Sequence, residues 1–381
     1  MNYFKILVFL QRGDKSLFEI PLNKQKAYLG SLGEAKDDID RGYKQYLCQN
    51  FFRSSFKIVL FNIIAFFAVP ALMVVYLFKG AVRKKGEHVD TILERKGMNE
   101  VIPLILSKRY NLDERYWHEN SSLSFYDILF LFSLIFKAPH HPYFTLKSMA
   151  NIAYYSDMIS RHQPKTIIQF GEFSFCSSIL TDYCHHHNVE HINVMHGEKL
   201  WHIYDAFFHY DECYVWDEHY VNLFRSLKAE PNQFIVALPE SMHIKCENYK
   251  DESCYADYKY YLADNSEIEL RSVVKSLSFI KSSGKSMKFR PHPRYTDMNL
   301  LRQMIAEEDI EDNNTVSILS SISNCEYAIG SYTTVLSQAY FSGKKVIMDD
   351  VTYKDQYDKL KSMGYILAGK DVEVLSNLMK G

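Results

Sequence analysis

The sequence lacks the marks of several protein classes. Across 381 residues, 44 Lys and Arg stand against 46 Asp and Glu, for a formal net charge of −2. A nucleic-acid binder is ordinarily strongly basic, so no nucleic-acid partner is expected. The seven cysteines are scattered, with no repeated close pairs. That pattern fits reduced thiols in a cytoplasmic setting better than a disulfide framework. "MNYFKILVFLQRGDK" has too short an apolar run, and no small-residue cleavage site, for a signal peptide. "KILVFL" reads instead as a buried strand. Internal repeats and low-complexity tracts are missing. "SSGKS" (282–286) imitates a phosphate loop, yet Phe279 stands where that motif needs glycine.

What is present suits a packed protein: 47% hydrophobic residues, with 28 Tyr and 25 Phe. The length is typical of two domains. After residue 85 short apolar runs alternate with amphipathic stretches, as parallel α/β units do. Strands are expected at "VDTIL" (89–93), "KTIIQ", "HINV" and "ECYV". Helices are expected at 125–136, buried, and at 148–162. The composition turns polar near Lys228–Asn232, which places a boundary there. The first domain is then 1–230 and the second 231–381, with "QFIVALP" and "DYKYYLA" as strands of the second. The fold class is α/β, with two Rossmann-like domains facing a cleft. Open α/β sheets bind ligands at the carboxyl ends of their strands.

"IVLFNIIAFFAVPALMVVYLF", residues 58–78, is broken only by Asn62 and Pro70. About 20 such residues can cross a bilayer as helix. Three readings stand: a span, a membrane-docking segment kinked at Pro70, or a core hairpin. Basic residues flank both ends, which favours docking on an anionic inner leaflet over a clear inside–outside asymmetry.

Two motifs carry chemistry. In "KFRPHPRYTD" (288–297) two prolines forbid ordinary helix and push Arg290 and His292 toward extended backbone. On an extended segment Arg290, His292 and Arg294 share a face, suited to an anion. In "EYAIGSYTTVLSQA" a strand ends at Gly330, and Ser331, Thr333 and Thr334 open a helix. Free amides and hydroxyls at a helix start suit a phosphate, although simple capping explains the hydroxyls too. For the general base, Glu172 in "FGEFS" and His196 or Glu198 in "MHGEKLW" lie in loops that follow strands. Asp38 and Asp40 form an Asp-x-Asp in an acidic stretch that gives no reason to expect a metal.

"FRPHPR" followed some 40 residues later by "GSYTTVLSQA" resembles the HP and Ser/Thr motifs of bacterial sialyltransferases and polysialyltransferases, over residues 285–348. A similar pair occurs in CDP-glycerol phosphotransferases. The resemblance implies the two-domain GT-B fold and an inverting, metal-independent glycosyltransferase of surface polysaccharide synthesis, for capsule or lipopolysaccharide. By the same resemblance, a CMP-sugar is the donor and needs no further cofactor. His292, with Pro293 and the flanking arginines, and Gly330, Ser331, Thr333 and Thr334 would hold the donor. An oligosaccharide or lipid-linked saccharide would be the acceptor, at the cytoplasmic face of the inner membrane. The acidic-acidic-Gly base motif of that family is replaced here by "FGEFS". A UDP-sugar enzyme, a CDP-polyol phosphotransferase and a non-catalytic assembly partner remain open.

Overall fold

The computed structural model describes residues 19–94, 97–114, 120–369 and 372–380. The expected strand "KILVFL" lies outside them. The chain divides into two compact units: Met1–His196 with Trp201–Ala237, and Gly197–Leu200 with Leu238–Gly381.

The first unit is built on a parallel sheet of β1 (Thr91–Leu93), β2 (Asp113–Glu114), β3 (Thr166–Gln169), β4 (Glu190–Val194), β5 (Glu212–Val215) and β6 (Phe234–Val236), in the order 2-1-3-4-5-6. Parallel strands covered on both faces read as unbroken apolar runs, and β3 is buried at every position. Successive residues serve opposite faces. Ile92 and Ile167 join one core cluster, whereas Leu93 and Ile168 join another with Ile192 and Val194. Phe234–Val236, read from sequence as part of the second half, pairs with β5 and closes this first sheet.

The first cluster is covered by α1 (Asp38–Asn50), α2 (Ser55–Ala81), α3 (Asp127–Lys137), α4 (Pro142–His162) and α5 (Ser177–His186). The 58–78 run is one helix that continues through Pro70, not a hairpin. The helix expected to be buried at 125–136 buries only one side, through Asp127, Leu131 and Leu134. Phe125, Leu129 and Phe136 are exposed. A twelve-residue apolar run without polar alternation gave no sign of this second, bare side. After β5 comes α6 (Glu218–Ser226), capped by Asp217.

The second unit repeats the scheme with β7 (Ala256–Tyr261), β8 (Met287–Arg290), β9 (Cys325–Gly330), β10 (Lys345–Met348) and β11 (Glu373–Val374). Their order is β11-β10-β9-β7-β8, all parallel. Counted from its own first strand this is 2-1-3-4-5, the same winding as the first sheet. Helix α7 (Glu267–Ser282) starts in a capping box of Ser266 and Glu269. It buries Leu270, Val273, Leu277 and Ile280 at helical spacing. Gly284, at φ +77, turns the chain out of α7. "SSGKS" is therefore a helix terminus. Next come α8 (Met298–Met304), α9 (Thr334–Phe341) and α10 (Lys354–Ser362). "YILAG" contributes a short helix, Ile366–Gly369.

Candidate active site

In a doubly wound sheet the chain leaves in opposite directions on either side of one strand pair, and a crevice opens at their carboxyl ends. That pair is β1/β3 in the first unit and β7/β9 in the second.

In the second unit the loop after β9 sits at this crevice. Glycine suits position 330, because a Cβ would approach the Tyr261 carbonyl oxygen to 3.3 Å. Ser331 is buried. Thr333 caps α9, its hydroxyl accepting from the Val335 amide at 3.4 Å, and Thr334 is exposed at the first helical position. The loop after β8 lies two strands away along the same edge, roughly 10 Å at ordinary strand spacing.

Within the β8 loop the three basic residues do not share a face. Arg290 turns inward. Its Nη1 reaches Glu311 at 2.6 Å and its Nη2 donates to the Val316 carbonyl. Glu311 also takes Lys259, a fully buried lysine in the middle of the sheet, at 2.5 Å. Burial alone would raise the Glu311 carboxyl, but Lys259, Ser321 and Arg290 hold it below the usual carboxylate value. Arg290 is thus part of the core, whereas Arg294 is exposed, as are Pro293 and Tyr295 beside it.

His292 is half-buried and well fixed. Its amide donates to Thr296 Oγ1 at 2.8 Å, and its ring stacks on Tyr295 at 4.5 Å. Nδ1 accepts from the Arg294 amide at 3.1 Å. In the neutral ring that leaves the proton on Nε2, which can donate to an anion. Beside this loop is a cavity of about 410 Å³ lined by His292, Thr296, Arg302, Asn313 and Asn314, among others. Asn313 donates to the Pro291 carbonyl at 2.7 Å, which fixes its amide orientation. Its buried Oδ1 has no hydrogen-bond partner among the described residues.

In the first unit Glu172 follows β3 and is fully buried. His196 follows β4. Its Nδ1 lies 3.8 Å from Glu172 Oε1, and its side chain is one-third exposed. Phe170 lies 4.4 Å from the imidazole, centroid to centroid, and Phe173 meets it edge-on. Helix α1 clamps the loop: Gln45 donates to the Glu172 carbonyl and Gln49 to that of Phe173. Asn193 accepts from the Gly171 amide. The 3.8 Å separation is longer than a hydrogen bond; closing it would let the buried carboxylate orient the partly exposed ring, the logic of a base dyad.

The three base candidates therefore separate. Glu172 and His196 form a pair, whereas Glu198 belongs to the second unit. There it accepts from Ser337 of α9 at 2.9 Å. Burial, with Glu198 nearby, pushes the Tyr332 hydroxyl up to about 12. One acid was missed in the sequence. Glu94, directly after β1, is 2% exposed and stands across the β1/β3 pair from the Glu172 loop. Its position at a strand's carboxyl end was the available signal.

Other motifs resolve into structure. Asp40 is buried with Lys44 and Lys137, and Asp38 meets His209. In "CHHHN", His185 and His186 each contact a separate aspartate, Asp211 and Asp182.

No protein-family model and no curated protein matches the chain. Among solved structures, it is similar to the UDP-GlcNAc 2-epimerase of Methanocaldococcus jannaschii in complex with UDP-GlcNAc and UDP. That likeness has 14% identity and a TM-score of 0.45, over 76% of this chain and 90% of that one. The glycotransferase of kitacinnamycin gives 8% and 0.46, over 77% and 89%. The wall teichoic acid polymerase TagF gives 11% and 0.37, over 76% and 78%. With TM-scores below 0.5 these likenesses carry no weight here, and the α/β assignment rests on the chain's own two parallel sheets.

Proposed function

We propose that the protein is an inverting, metal-independent glycosyltransferase of bacterial surface polysaccharide synthesis. The observation that carries this reading is the pairing of site chemistry with fold. Two sheets wound alike each hold reactive groups at their carboxyl ends: Glu172 and His196 in one, His292 and the α9 start in the other. The first unit supplies the acceptor site, and His196, backed by Glu172, takes the proton of the acceptor hydroxyl. In the second unit the departing nucleotide phosphate gains negative charge. The Nε2 proton of His292 stabilises it, while the amides and hydroxyls at the start of α9 hold another part of the nucleotide donor. The roughly 10 Å between those two loops suits an extended donor such as a nucleotide sugar.

A CMP-linked acidic sugar is the donor we favour. Asn313 Oδ1 is an acceptor, and cytosine offers an amino group where uracil offers a carbonyl. The acceptor is a saccharide, carried on a lipid if the enzyme works at the cytoplasmic face of the inner membrane. The test is calorimetric titration of CMP, CDP and UDP into wild type and His292→Ala. CMP should bind wild type, and at least tenfold more weakly to the variant. If no nucleotide binds wild type, the enzyme reading falls. UDP binding without CMP would leave a glycosyltransferase with a different donor, and a preference for CDP would favour polyol-phosphate transfer.

A further inference from the structure

Helix α2 is 27 residues long, about 40 Å at helical rise, and only 11% of its most apolar window is buried. Its buried flank is nevertheless continuous. Phe61, Ala65, Val69, Leu72, Tyr76 and Leu77 pack on the first unit's core at steps of one to four residues. Polar ties hold the flank at both ends. Asn62 Oδ1 accepts from the Tyr143 amide at 3.1 Å, and the Tyr76 carbonyl accepts from the Leu123 amide at 3.0 Å. Gly80 lets the Leu123 backbone in, because a Cβ there would stand 1.8 Å from the Leu123 carbonyl oxygen. For this helix to span, the loops and sheet edges of the unit packed on its flank would have to lie in the hydrocarbon, where lipid-exposed irregular backbone does not occur.

The second helix of this surface was not legible in the sequence. On α3 and the turn before it, Phe125, Leu129, Phe132 and Phe136 are exposed at i, i+4, i+7 and i+11, one helical face. Leu123, just before α3, is tied to the carboxyl-terminal third of α2. Tyr143, just after it, is tied to the amino-terminal third. The two helices therefore run antiparallel, each burying one flank in the same core cluster and leaving the other bare. Of 23 exposed large apolar side chains among the described residues, 15 lie in these two segments or directly beside them. Monomeric surfaces rarely carry so much contiguous apolar area.

Charge selects the occupant. From Phe51 to Gly86 there is no Asp or Glu. Lys79, Lys84 and Lys85 are exposed at one end of α2, and Lys57 lies near the other. The acid of α3, Asp127, is buried against Ser156 and Tyr183. A second copy of the chain would set these lysines against each other, whereas an anionic leaflet attracts them.

We propose that α2 and α3 together form a monotopic seat that lies in the plane of an anionic leaflet, with the apolar faces of both helices in the acyl boundary. This rests on the docking reading of residues 58–78 and specifies its geometry. The test is flotation of the full chain with phosphatidylcholine vesicles, with and without phosphatidylglycerol. Deleting 58–78 would remove core, so exposed positions are changed instead. Wild type should float, more strongly with phosphatidylglycerol. Both F67S/F78S on α2 and F125S/L129S/F136S on α3 should lower partitioning at least tenfold, with melting temperature unchanged. If only the α2 variant loses binding, the two-helix seat is overturned while membrane association stands. If wild type never floats, both fall. A wild-type dimer that becomes monomeric in the α3 variant, without flotation, would assign the face to a second copy and overturn the proposal. Nucleotide binding, measured separately, is untouched by any of these outcomes.

Discussion

The two sheets of this chain wind in the same order yet stabilise opposite chemistry at their centres. In the first, His191 on β4 is fully buried among neutral partners: Tyr155, Gln169 and Thr181. Burial pushes its imidazole down to about 3, so it stays uncharged. In the second, Lys259 on β7 is just as buried but charged, and the Glu311 carboxylate joins it to Arg290. A common backbone plan thus leaves the polar interior to local pairing. The same holds at the carboxyl ends, where one unit offers a carboxylate–imidazole pair and the other an imidazole donor with hydroxyls.

The sharpest break of that contrast lies in activity. His196→Ala should lower kcat by about 10²–10⁴, the usual worth of a general base, without moving the melting temperature. Glu172→Gln should lower kcat and shift the acidic limb of the pH–rate profile, because a positioning carboxylate acts through the imidazole. If Glu172→Gln lowers only stability, the dyad is structural. His292→Ala should cost about 10²–10³ in kcat, as for one lost donor to developing charge.

Next in size is the ionic centre of the second unit. Arg290→Met removes one partner and leaves Glu311 with less compensation, so a loss of about 3–5 kcal/mol is expected in denaturant unfolding. Arg294→Ala, exposed four residues on, should stay within about 0.5 kcal/mol. Equal effects at the two positions would dissolve the distinction between a core arginine and a loop arginine.

Acid should separate the units. The imidazole of His191 is lowered in the folded state from an ordinary value of about 6.5. Between those values the unfolded chain binds the extra proton, so stability is full above about pH 6.5 and declines as pH falls toward 3. Glu311, held below its usual value, contributes stability that is full above the ordinary carboxylate range and is lost as pH falls from there through its lower folded value. Trp201 and Trp216, the tryptophans among the described residues, both belong to the first unit. Their fluorescence should therefore change at higher pH than the circular dichroism of the whole chain. Coincident transitions would show that the two centres do not set the acid limits separately.

Much of the fold was legible, because parallel strands and amphipathic helices write their periods into the sequence. "KTIIQ" became a strand almost as read, and the helix expected at 148–162 forms with six more residues at its start, Pro142–His162. The misreadings share a cause: partners distant in sequence. Phe234–Val236 looks like any short strand, and only pairing with β5 assigns it to the first sheet. Alternation predicted a common face for Arg290 and Arg294, but Glu311, 21 residues on, draws Arg290 inside. Loop chemistry was visible as residue types, since Glu172, His196 and Glu198 all stood out. Their grouping was not, because three residues close in sequence or in sheet order settle into two different units.

The smallest effect tests whether the hydroxyls of α9 are caps or ligands. Thr333 accepts from the Val335 amide, so Thr333→Ala should cost about 1 kcal/mol of stability as an ordinary N-cap. Thr333→Ser keeps that bond and should restore the stability. A ligand role adds something the cap cannot: Thr333→Ala should weaken CMP binding several-fold at a temperature where the variant is fully folded. Thr334→Ala, whose side chain is exposed and makes no cap, should leave stability unchanged while also weakening CMP. If both variants bind CMP as wild type does, the hydroxyls only start a helix. The second unit's anion site then reduces to His292 and backbone amides, and its contrast with the first unit narrows to one imidazole against another.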